Sequence, residues 1–142
     1  MSVKKVIVFE MAEKEYVVGV DVVRSIEKMQ SITRVPGTAP YVKGVMNLRG
    51  IVTPILDLRL RFGLKGKEAT DDTRMIMISY DDKEMGLIVD RAHDVLDIDE
   101  RSIELAPEAV GSTKTELIHG IANVNKRLLL FIELEEIIKT AS

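Results

Sequence analysis

His93 and His119 are the only imidazoles in the chain's 142 residues, and there is no cysteine. Nucleophilic catalysis of the serine or cysteine type needs a histidine base beside its nucleophile. His119 directly precedes the glycine of an apolar hairpin, and His93 lies in the acidic stretch "RAHDVLDIDE". Both read as exposed loop or strand residues. Asp94, Asp97 and Asp99 could gather a hard cation, but the calcium-loop pattern needs a glycine after three ligands and a closing glutamate. "GLKGKE" lacks the spacing of a phosphate loop and begins the polar linker Gly63 to Thr73. The pairs Asp81/Asp82 and Glu135/Glu136 read as surface charge. No metal, cofactor or catalytic constellation emerges, so the expectation is a protein that is not an enzyme and carries no cofactor.

One residue remains without a bland explanation. In "GVMNLRGIVTPILDL", Gly44 to Leu58, two apolar runs flank Asn-Leu-Arg-Gly, which puts Leu48 and Arg49 at an expected hairpin tip. Neither is a favoured turn residue. Composition narrows what such an arginine could serve. A net charge of −3, with basic and acidic residues interleaved, argues against a broad nucleic-acid face. No apolar run approaches the length of a membrane helix, and "MSVKKVIVFEMAEKEY" has too short an apolar run for a signal peptide. The expectation is a soluble cytoplasmic protein.

The elements around Arg49 occur twice. Gly44 to Leu58 aligns without gaps with "GIANVNKRLLLFIEL", Gly120 to Leu134, so that Asn47 falls on Asn123 and Asp57 on Glu133. "VIVFEMAEKEYVVGVDVV" from Val6 aligns with "MIMISYDDKEMGLIVDRA" from Met75, so that Glu15 falls on Glu84 and Asp21 on Asp90. Two collinear matches predict an internal duplication. Each copy opens with two strands joined by a charged turn (Val6–Phe9 and Tyr16–Val20; Met75–Ile78 and Met85–Val89) and closes with a second hairpin. After Asp21, a plausible N-cap and like Asp90 a turn or cap residue, the spacing of Val22, Val23, Ile26 and Met29 predicts a helix. The matching "RAHDVLDID" alternates like a strand, and Thr33 to Val35 is a candidate short strand. Asp57 and Gly63 bracket a short helix, and Ile137 and Ile138 mark one face of another. Met29, Met46, Met75, Met77 and Met85 read mainly as core.

Short, evenly spaced strands predict a mainly β fold of two small barrels. The approximate halves are residues 1–70 and 71–142 of one domain, each too small to be stable alone.

The run "RSIEKMQSITRVPGTAPYVKGVMNLRGIVTPILDLRLRFGL", followed by "GLIVDRAHDVL", resembles the CheW-like family of bacterial chemotaxis coupling domains. The shared pattern is a glutamate-bearing segment, Thr-Arg-Val-Pro, aromatic-Val-Lys-Gly, Asn-Leu-Arg-Gly and Pro-Ile-hydrophobic-Asp-Leu-Arg. The resemblance implies two related five-stranded barrels around a shared core, with terminal strands able to swap between them. It implies a non-catalytic adaptor joining the cytoplasmic tips of methyl-accepting receptors to the regulatory domain of the histidine kinase CheA, in arrays at the inner face of the membrane. Ser25, Glu27, Gly44 and Arg49 would then face the receptor, with Asn47, Leu48 and Gly50 shaping the hairpin and Glu27 as a candidate ion-pair partner of Arg49. The second copy's hairpins, through Met85, Leu87, Val89, Ile121 and Val124, are the expected kinase contacts. Two rivals remain: the CheW-like part of a CheV adaptor, for whose receiver domain a chain ending at Ser142 has no room, and a single-strand nucleic-acid barrel, disfavoured by few aromatics and negative charge.

Overall fold

The computed structural model describes residues 2–105 and 115–139. Four hairpins carry the fold. β1 (Val3–Met11) and β2 (Lys14–Gly19) turn at Ala12-Glu13, and β4 (Val42–Leu48) and β5 (Ile51–Asp57) at Arg49-Gly50. β6 (Arg74–Tyr80) and β7 (Lys83–Val89) turn at Asp81-Asp82, and β10 (Ile118–Val124) and β11 (Arg127–Ile132) at Asn125-Lys126. Both central residues of every turn have positive φ, as a two-residue hairpin needs if its turn is to follow the right-handed twist of its strands. The tip of the β4–β5 hairpin is therefore Arg49-Gly50, one residue later than the sequence suggested.

The segment after Asp21 is not a helix. A single 3-10 turn (Val20–Val22) leads into β3 (Val23–Lys28), and the turn has no side-chain cap. β6 is paired to β7 on one side and needs a partner on the other, because buried backbone groups must be hydrogen-bonded. β3 supplies it, with Ser25 opposite Met77 and Glu27 opposite Met75. The β-branched Val23 and Ile26 suit that strand as well as they suited the helical spacing. The repeat's counterpart, β8 (Arg91–Asp99), is the strand its alternation predicted. Thr33 forms an isolated bridge to Val45, where its counterpart is the two-residue β9 (Glu104–Leu105).

These links close two barrels. In one, the strand order is β3-β6-β7-β5-β4, and Thr33, just beyond β3, returns to β4. In the other the order is β8-β1-β2-β11-β10-β9, and β9, just beyond β8, pairs with β10. The residue ranges 1–70 and 71–142 do not coincide with these barrels. The hairpin β6–β7 of the second repeat sits among strands of the first, and β1–β2 sits among strands of the second. One barrel is thus continuous in the chain, from Val23 to Val89, and the other is built from the flanking segments. We call them the mid-chain and the end-strand barrel.

A common apolar cluster joins them, with Phe9 and Tyr16 of one barrel stacked at 5.8 Å and Tyr16 against Phe62 at 5.4 Å. Asp57 caps α1 (Leu58–Arg61), accepting from the Leu60 N–H, and Gly63 follows with positive φ. The buried Arg61 lies over Tyr41 and donates to the carbonyls of Glu136 and Ile137, anchoring α2 (Leu134–Ile138), whose Ile137 and Ile138 are buried.

Candidate functional site

The β4–β5 hairpin is shaped from within. The Asn47 side-chain oxygen accepts from the Gly50 N–H at 2.9 Å. Arg49 stands at φ +53°, where its repeat counterpart is Asn125, a residue that tolerates this left-handed region far better. Arg49 is exposed and shares this left-handed conformation with Ala12, Glu13 and Lys126 of the other turns. Gly44 has a different reason to be glycine. At φ +144° an added Cβ would overlap the Thr33 carbonyl oxygen across the bridge that closes the barrel. Its counterpart Gly120 meets the Glu104 carbonyl in the same way. Gly44 is therefore a backbone requirement, and its side of the hairpin is closed by the chain itself.

Ser25 and Glu27 lie on β3, both half-buried. Among the described residues Glu27 forms no ion pair with Arg49. The expected pairing assumed a helix; as a strand residue, Glu27 lies opposite Met75 instead. The Ser25 hydroxyl is buried with no hydrogen-bond partner among the described residues. The β3 residue that does reach the hairpin is Arg24, which shares a pocket with Leu48, Arg49, Ile51 and Glu84.

The expected kinase-facing residues divide. Met85, Leu87 and Val89 are buried on β7, a central strand, and Leu87 and Val89 offer no outer contact surface. Only Met85 touches the Arg24 pocket. Ile121 and Val124, on β10, are half-buried. Sequence reasoning missed the apolar residues that are exposed. Val52, 65% exposed, and Leu128, 51% exposed, occupy equivalent repeat positions just after each second-hairpin turn, as do Ile26 and Val95 on β3 and β8. The repeat alignment held that signal: positions apolar in both copies that neither barrel buries.

The charged residues are used for closure. Arg127 donates to Glu15 through Nε at 3.0 Å and Nη2 at 2.6 Å, and through Nη1 to Asp94 at 3.3 Å. His93 Nε2 lies 3.2 Å from Glu15. The hydrogen bonds from Arg127 hold the Glu15 carboxyl below the usual range, against the effect of burial, and Glu15 in turn raises the guanidinium. Asp90 is not the local turn or cap expected. It accepts two bonds from Arg59, at 2.7 and 2.8 Å, and one from the Ala12 N–H, tying α1 to the tip of the β1–β2 hairpin. Burial pushes Asp90 up, but those bonds and the Arg59 charge outweigh it and leave it below the ordinary value. His119 meets Glu133 at 3.0 Å, the repeat equivalent of Lys43 beside Asp57 at 3.8 Å. Both histidines are thus engaged with carboxylates. Among the described residues no group of three His, Cys, Asp or Glu could hold a metal ion, and no helix is long and apolar enough to cross a membrane.

The model of the CheW-like domain matches residues 5–142. The chain belongs to the CheW-like family. A CheW of Bacillus subtilis (strain 168), named a chemotaxis protein, is 48% identical over 139 residues, covering 98% of this chain and 89% of that protein. The crystal structure of the scaffolding protein TtCheW from Thermoanaerobacter tengcongensis superposes with a TM-score of 0.88 at 36% identity, covering 97% of this chain and 89% of that one. The chemotaxis protein CheV3 of Helicobacter pylori is 28% identical, and the match takes in only 40% of its length. Membership and architecture together place this CheW-like chain with chemotaxis scaffold domains, and the CheV-like alternative is the weaker one.

Proposed function

We propose that this protein is a non-catalytic adaptor that couples the cytoplasmic tips of methyl-accepting chemoreceptors to the regulatory domain of the histidine kinase CheA, working in the cytoplasm at the inner face of the membrane. The observation that carries this is likeness to CheW scaffolds over nearly the whole chain, in both sequence and fold. The local geometry supports it. Arg49 lies exposed at the tip of a hairpin that does not need an arginine to turn, while the Asn47–Gly50 hydrogen bond and Gly44 shape its backbone. On this reading a helical receptor tip lays an apolar face against the hairpin, with Ser25 and Glu27 on β3 flanking it.

Kinase docking is assigned to exposed apolar positions at the barrel ends, Val52 and Leu128, with Ile121 and Val124 beside the latter. Equivalent patches on two related barrels suit end-to-end packing against the similarly built regulatory domain of the kinase. The test is calorimetric titration with the CheA regulatory domain and, separately, with a receptor-tip fragment. The expected result is binding to both, with Arg49→Asp losing only the receptor. Absence of binding to either partner by the native chain would refute the adaptor role.

A further inference from the structure

The duplication supplies an internal comparison at the hairpin ends of the two barrels. In the end-strand barrel the mouth is plugged by the chain's own Arg127, held by Glu15 and Asp94, with His93 alongside and Asn125 in the turn. The equivalent positions of the mid-chain barrel are Ile51 for Arg127, Glu84 for Glu15, Ser25 for Asp94, Arg24 for His93 and Arg49 for Asn125. The strand registers make these pairs structurally equivalent, since Ser25 lies opposite Met77 on β6 as Asp94 lies opposite Val8 on β1. The plug is gone, and a pocket stands in its place.

The sign of the charge has also reversed. The plugged mouth sets two carboxylates against one guanidinium and a histidine; the open one sets two guanidiniums, Arg24 and Arg49, against the single carboxylate of Glu84. Among the described residues none of these three makes an ion pair or side-chain hydrogen bond. Leu48, Ile51, Met77 and Met85 supply the pocket's apolar lining. Charge-assisted bonds to a carboxylate are what paired guanidiniums favour, and methionine sulfur adapts to an apolar neighbour.

We infer that the pocket between Arg24 and Arg49 receives a carboxylate side chain of the receptor tip, with an apolar side chain of the same helix one turn away seated on Leu48, Ile51 and the two methionines. The acid takes the place that Arg127 fills in the other barrel, with the charges exchanged. Arg24 thereby becomes a second recognition residue beside Arg49. This assignment rests on the receptor reading of the hairpin given above.

The experiment is titration of the full chain and of Arg24→Glu, Arg24→Gln and Arg24→Lys with a receptor-tip helical-hairpin fragment, alongside the CheA regulatory domain as a second partner. Charge reversal is expected to weaken tip binding by about tenfold or more, Arg24→Lys to retain most of it, and kinase binding to stay at the native level. Native tip binding should weaken as salt is raised, and the Arg24→Glu variant should lose that dependence. A tip fragment with its acidic residue changed to lysine should recover binding to Arg24→Glu. Native-like tip binding by Arg24→Glu, with Arg49→Asp still defective, overturns the carboxylate pocket and leaves the adaptor reading intact. Loss of kinase rather than tip binding overturns the receptor as its source. Failure of the native chain to bind the tip overturns the adaptor reading and this occupant with it. Thermal melting of each variant, with Arg24→Gln as the milder change, separates lost binding from lost folding.

Discussion

Arg49 sits where glycine or asparagine would be easier, and that makes its substitution informative in two directions. Arg49→Gly removes a left-handed non-glycine residue and should raise stability by roughly 0.5–1 kcal/mol. The same change should abolish receptor-tip binding. A higher melting temperature with unchanged tip affinity would mean that the arginine is accidental. Asp90 works the opposite way, as a residue whose value lies in the fold. Its two bonds from Arg59 and one from the Ala12 N–H join segments far apart in the chain. Asp90→Ala should cost roughly 2–3 kcal/mol, because it leaves Arg59 without its charged partner. Since Asp90 titrates lower in the folded protein than in the unfolded chain, its contribution is complete above the unfolded value of about 4 and is lost as pH falls through the depressed one. Acid unfolding curves of Asp90→Asn should therefore be flatter below pH about 4 than those of the native chain. Arg49 stood out in sequence, whereas the role of Asp90 did not. Asp90 looked like a local cap because its partners lie 31 and 78 residues away.

At the scale of elements, the second hairpins and both short helices were legible from caps, glycines and apolar alternation. β3 was not, because Val22, Val23, Ile26 and Met29 fit a helix by spacing and a strand by side-chain type. What decided it was the open edge of β6, a tertiary fact. With the helix went the expected Glu27–Arg49 pair, and with the central position of β7 went the outward-facing Met85, Leu87 and Val89. The hairpin glycines can be separated by experiment. Gly50 has positive φ but open space around it, so Gly50→Ala should cost about 1 kcal/mol. Gly44→Ala must displace the Thr33 backbone that closes the barrel, and should cost about 3 kcal/mol or more. Denaturant melts of the two variants check the ranking, and equal costs would show that the bridge gives way easily.

For the whole molecule, the duplication was visible in sequence, and the resemblance implied that terminal strands can swap between barrels, but which hairpins exchange was not legible. β1 and β6 carry the same continuous run of four buried apolar residues, so nothing in their residues says which barrel each hairpin completes. The exchange means that a cut near residue 70 removes β6 and β7 from one barrel and β8, β9, β10 and β11 from the other. Residues 1–70 and 71–142 made separately should each lack a cooperative melt, and mixing them should restore one. Two independently melting halves would contradict the strand order.

The nesting of one barrel inside the chain path of the other also sets a timetable for birth on the ribosome. Every strand of the mid-chain barrel has been synthesised by Val89, whereas β2 waits beside an empty place until Leu129 to Phe131 of β11 emerge to pair with Glu15 to Val17. The first hairpin made is thus among the last to be housed. For most of synthesis its apolar strands depend on the half-built shared core, which makes the growing chain, rather than the finished protein, the form most exposed to aggregation.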